Sequence, residues 1–268
     1  MAASPEEMQA CYARGEEARR LEQPNGVVEF ERTTEVILRT LPPAPAVVAD
    51  IGGGPGRYTE WLASLGYAVH HRDLVRSHVE HVSGLALPAV TTATADARDL
   101  DLPDASVDAV LLLGPLYHLA VREDRVQSLR EAGRIVKHGG PVFVAVISRW
   151  APRLDGAVAA ELSIEFPRMT EFVAEVEASG DLPALHDGAF CGYTHRPDDV
   201  RAEVFDAGLD LVDLVGLEGI SFALGDLGER LADPARRAVV IDSARALERV
   251  PEVMGVSPHL LATVRRPS

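Results

Sequence analysis

A short glycine-rich stretch, DIGGGPG, spans residues 50–56 and directly follows an apolar run. Glycines let a backbone approach a ligand closely and adopt positive φ where a turn requires it. The chemistry open to this loop is the binding of a dinucleotide, a triphosphate or S-adenosylmethionine. The residues available for that binding are Asp50, Gly52, Gly53, Gly54 and Gly56.

The spacing within the loop discriminates between these ligands. A dinucleotide-binding loop, G-x-G-x-x-G, needs its third glycine where this chain has Arg57. A triphosphate-binding loop ends in Lys followed by Ser or Thr, whereas this chain has Arg57 and Tyr58. Both patterns fail, so an NAD(P)-dependent reductase is kept only as an alternative.

Around this loop the chain alternates between strand patterns and helix patterns. Short apolar runs predict strands, and amphipathic stretches of helical period predict the helices between them. The predicted strands cover 46–51, 67–73, 89–95, 107–113, 139–147, 209–217 and 259–266. The predicted helices cover 57–66, 76–83, 123–137, 158–178, 197–207 and 234–249, after two N-terminal pieces within 5–40 that are separated at QPNG, 23–26.

This alternation predicts an α/β fold: a Rossmann-like, doubly wound, mostly parallel seven-stranded sheet whose last strand is antiparallel. We expect a single domain. Residues 1–44 form an N-terminal helical cap, and 45–147 form the ligand-binding core. Residues 148–196 interrupt the alternation and are interpreted as an inserted lid, and 197–268 complete the sheet.

The composition argues against several classes of function. The 268 residues carry a net charge of −15, whereas nucleic acids and anionic membranes favour clustered Lys and Arg. We therefore expect neither nucleic acid nor a membrane as partner. Cys11 and Cys191 show no metal or disulfide spacing, residues 1–10 show no signal-peptide pattern, and no apolar run approaches the roughly 20 residues of a membrane span. A cytoplasmic location is expected.

Taken together, the motifs resemble those of the class I S-adenosylmethionine-dependent methyltransferases. Asp50, two residues before G-x-G-x-G, looks like the first motif of that family. Asp73 ends the second predicted strand, where the family's acid binds the two ribose hydroxyls, and a carboxylate can accept both hydrogen bonds. Asp96 follows the third strand, where the family places an acid or amide near the adenine amino group, and Ala97 would offer a backbone N–H to the ring. The resemblance covers 45–147 by motif and implies S-adenosylmethionine as cofactor.

The same resemblance implies further contacts to the cofactor. The segments YARGEEARRL, EFERT and LGPLYHL are similar to those of bacterial small-molecule methyltransferases of specialised metabolism. Such enzymes often close a helical cap over the cofactor, with a Tyr and an Arg on the methionine carboxylate. Tyr12 and Arg32 are the corresponding candidates, and Leu74 and Leu113 complete the expected cofactor set.

Candidates for the acceptor side come from segments at the ends of strands. Gly114 precedes Pro115 where methyltransferases acting on nucleic-acid amino groups carry Asn, Asp or Ser, which again argues against nucleic acid. The expected catalytic residues are Tyr117, His118 and His195, and the expected substrate contacts are Glu29, Phe190 and Tyr193. Structural roles remain as alternatives: His118 could be a buried histidine with local hydrogen bonds, His195 could cap a helix, and the aromatic residues could only anchor the insertion.

The leading hypothesis is an enzyme that transfers a methyl group to a small molecule, acting as a monomer or homodimer. The resemblance leaves the acceptor atom open: the indole C3 of a tryptophan-derived cyclic dipeptide is one candidate, and oxygen or nitrogen acceptors are equally open. A SAM-binding partner protein without catalysis is the main alternative. No metal is expected, because no carboxylate or cysteine cluster completes a site around His70, His71, His78 and His81.

Overall fold

The computed structural model describes residues 21–159, 164, 166, 168–184 and 190–267. The first predicted helical piece, and Tyr12 within it, lie outside the described residues. In the described part of the chain, nine strands form one sheet with helices on both faces. The strands are β1 (Val47–Ile51), β2 (Ala68–Asp73), β3 (Val90–Thr94), β4 (Ala109–Leu112), β5 (Pro141–Ser148), β6 (Asp181–Leu182), β7 (Gly192–His195), β8 (Asp210–Gly216) and β9 (His259–Arg265).

Seven of these strands form the predicted sheet, in the order β3-β2-β1-β4-β5-β9-β8. The pairs among β1 to β5 are parallel, and β9 runs antiparallel to both of its neighbours. The expected Rossmann-like fold with an antiparallel last strand is therefore confirmed. The strands β6 and β7 were not predicted. They belong to the insertion, and β7 pairs with the last two residues of β5 beyond the point where β4 ends.

The predicted helices occur in the expected order, with two differences in their bounds, and three short helices at 115–118, 227–232 and 251–254 were not predicted. The first described helix begins at Pro24, within QPNG, because proline fits the first turn of a helix; it therefore starts before the end of the predicted break. The expected helix over 158–178 is instead a π-helical segment, Pro152–Ala159, followed by a helix that begins at Met169. The helices are α1 (Pro24–Leu38), α2 (Arg57–Ser64), α3 (Arg76–Gly84), α4 (Pro115–His118), α5 (Arg122–Ile135), α6 (Met169–Ser179), α7 (Pro197–Asp206), α8 (Leu227–Ala232), α9 (Pro234–Leu247) and α10 (Pro251–Met254), with a 3₁₀ turn at Ser221–Ala223.

The core lies in two layers because successive residues of a buried strand face opposite sides of the sheet. In β4, Val110 and Leu112 pack into the layer under α5 and α7, whereas Leu111 packs into the layer under α1 and α2. All three side chains are fully buried. A sheet covered on both faces leaves only its strand ends open to a ligand, which places any binding site at an edge.

Candidate active site

A cleft opens at the carboxyl ends of β1, β2, β3 and β4 and reaches the start of β9. Its volume is about 1280 Å³ when the open mouth is counted. Because β9 is antiparallel, its amino end lies at the same edge of the sheet as the carboxyl ends of the parallel strands. The predicted residues that line this cleft are Glu29, Asp50, Gly52, Gly53, Gly54, Asp73, Leu74, Asp96, Ala97, Leu113, Tyr117 and His118.

The glycine loop bends between β1 and α2 in a conformation that other residues rarely adopt. Gly54 has φ +55°, and a Cβ at this position would meet nothing within 4 Å, so its open side belongs to the cleft. Gly56 has φ +93°, and a Cβ there would lie 2.6 Å from Val82 Cγ2. The first glycine therefore keeps space for a ligand, and the second lets the loop pack on α3.

The buried carboxylate of Asp50 supports the glycine loop. This carboxylate is 1% exposed and accepts a hydrogen bond from the Thr59 hydroxyl at 2.6 Å. A Cβ on Gly53 would lie 2.7 Å from the same carboxylate, so the loop rests directly on it. The Nε2 atom of His71 lies 3.0 Å from the Gly54 carbonyl, so this imidazole supports the loop as well. Burial raises the pKa of Asp50, and the charge of His71 and the Thr59 hydrogen bond oppose that rise.

Asp73 lies at the end of β2 and connects the loop to the next turn. One carboxylate oxygen accepts the Gly54 N–H at 2.7 Å, and the other accepts the Val75 N–H at 2.7 Å. Burial alone raises the pKa of Asp73, but hydrogen bonds from His78 and these two amides outweigh it and leave the pKa below its usual value. An ionised, fixed carboxylate at this point is suited to accept hydrogen bonds from a diol.

Asp96 follows β3 and is fixed by an arginine two residues along the chain. Arg98 donates to both carboxylate oxygens, with the shortest bond at 2.6 Å, and is held in turn by Asp124 at 2.9 Å. The hydrogen bonds from Arg98 lower the pKa of Asp96 below its ordinary value. Half-buried Ala97 follows directly and also lines the cleft. The carboxylate is thus charged and oriented.

Tyr117 and His118 form an aromatic wall on the short helix α4. Their ring centroids lie 4.8 Å apart, and Phe190 of the insertion lies 5.1 Å from His118 and 6.0 Å from Tyr117. Burial lowers the pKa of His118 to about 4, with Asp73 opposing the shift, so this imidazole is neutral near pH 7. Two of the expected catalytic residues and one expected substrate contact therefore lie together.

His195 and Tyr193 lie away from this wall, on β7, and neither lines the cleft. His195 is fully buried, and its Nε2 lies 3.2 Å from Glu203 of α7. The guanidinium of Arg125 lies 3.6 Å from the Tyr193 ring and also pairs with Glu203 at 2.8 Å. The structure thus places the expected catalytic histidine and one expected substrate contact inside an internal charged network, where they connect the insertion to α5 and α7.

Arg32, expected at the methionine carboxylate, also lies outside the cleft lining. Its side chain is fully buried and forms ion pairs with Glu35 and Glu248. The arginine that lines the described cleft is Arg57, at the start of α2, whose guanidinium lies 4.5 Å from the centroid of the Phe30 ring. In the sequence analysis, Arg57 served only to reject a dinucleotide loop and a triphosphate loop. Its position in the first helical turn after the glycines could have indicated that it reaches the ligand site.

In the sequence analysis, two residues beside the ends of β8 and β9 were also missed. His259 lines the cleft as the first residue of β9, and Glu218 lies two residues after β8. The His259 Nδ1 lies 2.5 Å from a Glu218 oxygen and 3.8 Å from a Glu29 oxygen. Among the described residues, these three side chains are the one group close enough to hold a metal ion. The sequence could have indicated both residues, because each lies next to the end of a predicted strand at the edge of the sheet that carries the glycine loop.

Comparison with known proteins relates this geometry to a family. Residues 49–144 match the family model described as a methyltransferase domain. That match covers the glycine loop, the acids Asp73 and Asp96, the aromatic wall and the first half of β5. No helix among the described residues is long and apolar enough to cross a bilayer.

Solved structures share the fold over nearly the whole chain. A Thermotoga maritima SAM-dependent methyltransferase, described as a possible histamine N-methyltransferase, has a TM-score of 0.61 at 17% identity, covering 97% of this chain and 99% of its own. The Burkholderia thailandensis 1,6-didemethyltoxoflavin-N1-methyltransferase, solved with that compound and S-adenosylhomocysteine, has a TM-score of 0.59 at 18% identity, covering 100% and 92%. A putative methyltransferase of Haloferax volcanii, bound to a methyltransferase activator, has a TM-score of 0.59 at 18% identity, covering 97% and 98%.

Proposed function

Since the chain carries the core of a class I SAM-dependent methyltransferase, with S-adenosylmethionine as its cofactor, we propose that it transfers the methyl group to a small-molecule acceptor. The observation that carries the proposal is the cleft itself. It is lined by the glycine loop and two fixed carboxylates, and also by the Tyr117–His118 aromatic wall. A cleft that offers both polar and aromatic groups is suited to hold a cofactor beside an acceptor, and the proposal assigns the first set to the cofactor end and the second to the acceptor end.

The residues at the cofactor end have distinct roles in this proposal. Asp73 binds the ribose diol, Asp96 and the Ala97 amide hold the adenine, and Leu74 and Leu113 cover its faces. Arg57 takes the role first expected of Arg32, because a guanidinium at the cleft is suited to bind a carboxylate. When bound, the cofactor supplies an electrophilic methyl group on a sulfonium sulfur.

At the acceptor end, the chain orients the nucleophile and excludes water, which is where such a site gains most of its rate. Tyr117 and neutral His118 provide an aromatic surface for a flat or apolar acceptor, and Phe190, outside the cleft lining, packs against both rings. The proposal covers acceptors that are carbon, nitrogen or oxygen nucleophiles, including an indole C3. We assign the enzyme to specialised metabolism because its N-terminal and LGPLYHL segments resemble those of methyltransferases from such pathways.

A SAM-binding subunit without catalysis is the alternative function. The methyltransferase of Haloferax volcanii was solved with an activator, so the fold also occurs in protein complexes. The two functions predict different behaviour. An enzyme produces S-adenosylhomocysteine when a suitable small molecule is supplied, whereas a binding subunit does not.

The first experiment is calorimetric titration with S-adenosylhomocysteine, SAM and NADPH. We expect binding of the two adenosyl ligands and no binding of NADPH. Asp73→Asn should weaken adenosyl binding about 10-fold to 100-fold, because hydrogen bonds to a charged group contribute about 1.5–3 kcal/mol. Asp210→Asn, on the exposed face of β8, is the matched control and should bind normally. Binding of NADPH alone would refute the proposal.

A further inference from the structure

The pair formed by Glu218 and His259 has the geometry of a fixed carboxylate–imidazole dyad. Antiparallel β9 lies between β5 and β8, so its first residue meets the loop that leaves β8. One Glu218 oxygen lies 2.5 Å from His259 Nδ1. Glu218 is 3% exposed, whereas the His259 side chain is 21% exposed and lines the cleft. The carboxylate is thus behind the imidazole as seen from the cleft.

Other groups hold this carboxylate in place. The second Glu218 oxygen accepts the Ser257 hydroxyl at 2.6 Å and the backbone N–H of His259 at 3.1 Å. The Ser257 oxygen in turn accepts the backbone N–H of Glu218 at 2.8 Å. Two hydrogen bonds from the segment 257–259 therefore fix this carboxylate oxygen, and a third fixes the Glu218 backbone on Ser257. Such support is what keeps a reacting group in a single orientation.

The hydrogen bond determines which nitrogen of His259 can accept a proton. An ionised carboxylate only accepts hydrogen bonds, so the proton of a neutral imidazole is placed on Nδ1 and the lone pair on Nε2. A second carboxylate, Glu29 of α1, lies 3.8 Å from the same Nδ1. Glu29 and Glu218 thus both face this imidazole, and a neighbouring carboxylate favours the protonated form of an imidazole.

We infer that His259 is the general base of the methyl transfer and that Glu218 is its positioning residue. The inference rests on the proposed function and narrows it to acceptors whose nucleophilic atom is an N–H or O–H group. The acceptor lone pair forms a bond to the methyl carbon, the carbon–sulfur bond breaks, and sulfur keeps that electron pair. The acceptor proton moves to Nε2 of His259, and the resulting imidazolium is stabilised by Glu218.

The other histidines near the insertion are poorer candidates for this role. His118 lines the cleft, but burial lowers its pKa to about 4, which makes it a weak base near neutral pH. His195 is fully buried against Glu203 and lies outside the cleft lining. His259 combines exposure to the cleft with a buried carboxylate that orients its ring through Nδ1.

The test combines kinetics with a spectroscopic readout that needs no acceptor. Wild type, His259→Gln and Glu218→Gln are assayed with methyl-labelled SAM against a panel of phenols, azoles, primary amines and C3-nucleophilic indoles. His138→Gln is the matched control, because His138 is exposed at the opposite end of β5. Binding of S-adenosylhomocysteine is measured for each variant. ¹⁵N spectra of the histidine rings report the tautomer of His259, and the His259→Gln spectrum gives the resonance assignment.

We expect transfer to an N–H or O–H acceptor. kcat should fall about 100-fold to 10,000-fold in His259→Gln, the range for loss of a general base, with S-adenosylhomocysteine affinity within threefold of wild type. Glu218→Gln should lower kcat and move the acid-side inflection of the kcat profile to lower pH, because the carboxylate no longer stabilises the imidazolium. The His259 ring should carry its proton on Nδ1 at neutral pH.

Several results would overturn the inference. Methyl transfer that survives in His259→Gln, a proton on Nε2 of His259, or methylation of the indole carbon alone would each do so while leaving the proposed function intact. Stoichiometric binding of Mn²⁺ or Zn²⁺ that is abolished by Glu218→Gln would show that the dyad is a metal site instead. No transfer by the wild-type protein to any member of the panel would overturn both the inference and the proposed function.

Discussion

Gly54 and Gly56 share a left-handed backbone conformation, but added side chains at these two positions would meet different surroundings. In Gly54→Ala the new Cβ enters open space on the side of the cleft, so the fold loses only the conformational term, about 1–2 kcal/mol. In Gly56→Ala the Cβ also lies 2.6 Å from Val82, which adds about 1–3 kcal/mol of overpacking. We therefore expect Gly56→Ala to lose about 2–5 kcal/mol of unfolding free energy.

Ligand binding should follow the opposite order. The Gly54→Ala methyl group occupies space reserved for the cofactor, so affinity for S-adenosylhomocysteine should fall at least about 10-fold, equivalent to about 1.4 kcal/mol. Gly139→Ala is the matched control, because Gly139 has φ +73° with nothing within 4 Å of the added Cβ and does not line the cleft. Its loss of stability should equal that of Gly54→Ala, with normal binding.

Urea unfolding followed by circular dichroism measures stability, and calorimetry measures binding. If Gly54→Ala binds S-adenosylhomocysteine as tightly as Gly139→Ala does, the loop does not contact the cofactor and the reasoning fails. Equal stability of Gly54→Ala and Gly56→Ala would show that α3 yields to the added methyl group, which would refute the packing argument alone.

Two further predictions concern charged and titratable groups. Arg57→Met should weaken binding of S-adenosylhomocysteine without loss of stability. Arg32→Met should leave binding unchanged and lower the unfolding free energy by about 3 kcal/mol, because Glu248 loses a buried partner but keeps Arg39. Calorimetry measures the binding and urea unfolding the stability, and the reverse pattern would restore the first assignment of Arg32. His118 has a folded pKa of about 4 against an ordinary 6.5, so the unfolded chain binds an extra proton between these pH values and the unfolding free energy falls as pH drops through that window. Wild type should therefore lose more stability than His118→Phe between pH 7 and pH 5 in urea unfolding, and equal losses would contradict the lowered pKa.

The sequence by itself determined the order of strands and helices in the core and the type of ligand loop. Both depend on local patterns: apolar periodicity, the positive φ of glycines, and acids placed directly after strands. Asp73 and Asp96 could be located because each follows its strand by no more than two residues, so the strand end fixes its position. The helix prediction was wrong at residues 158–159, which belong to the π-helical segment Pro152–Ala159, a rare conformation that overrides the expected α-helical period.

Only the tertiary structure decided which histidines and arginines reach the cleft. His195 follows an unpredicted strand of the insertion, and its direction depends on Glu203 of α7. Arg32 lies on a helical stretch that sequence reasoning recognised, but its side chain pairs with Glu248, 216 residues away. Glu218 and His259, 41 residues apart, meet because β9 inserts antiparallel between β5 and β8. Local sequence patterns carry no information about such pairings, since they depend on which strands become neighbours.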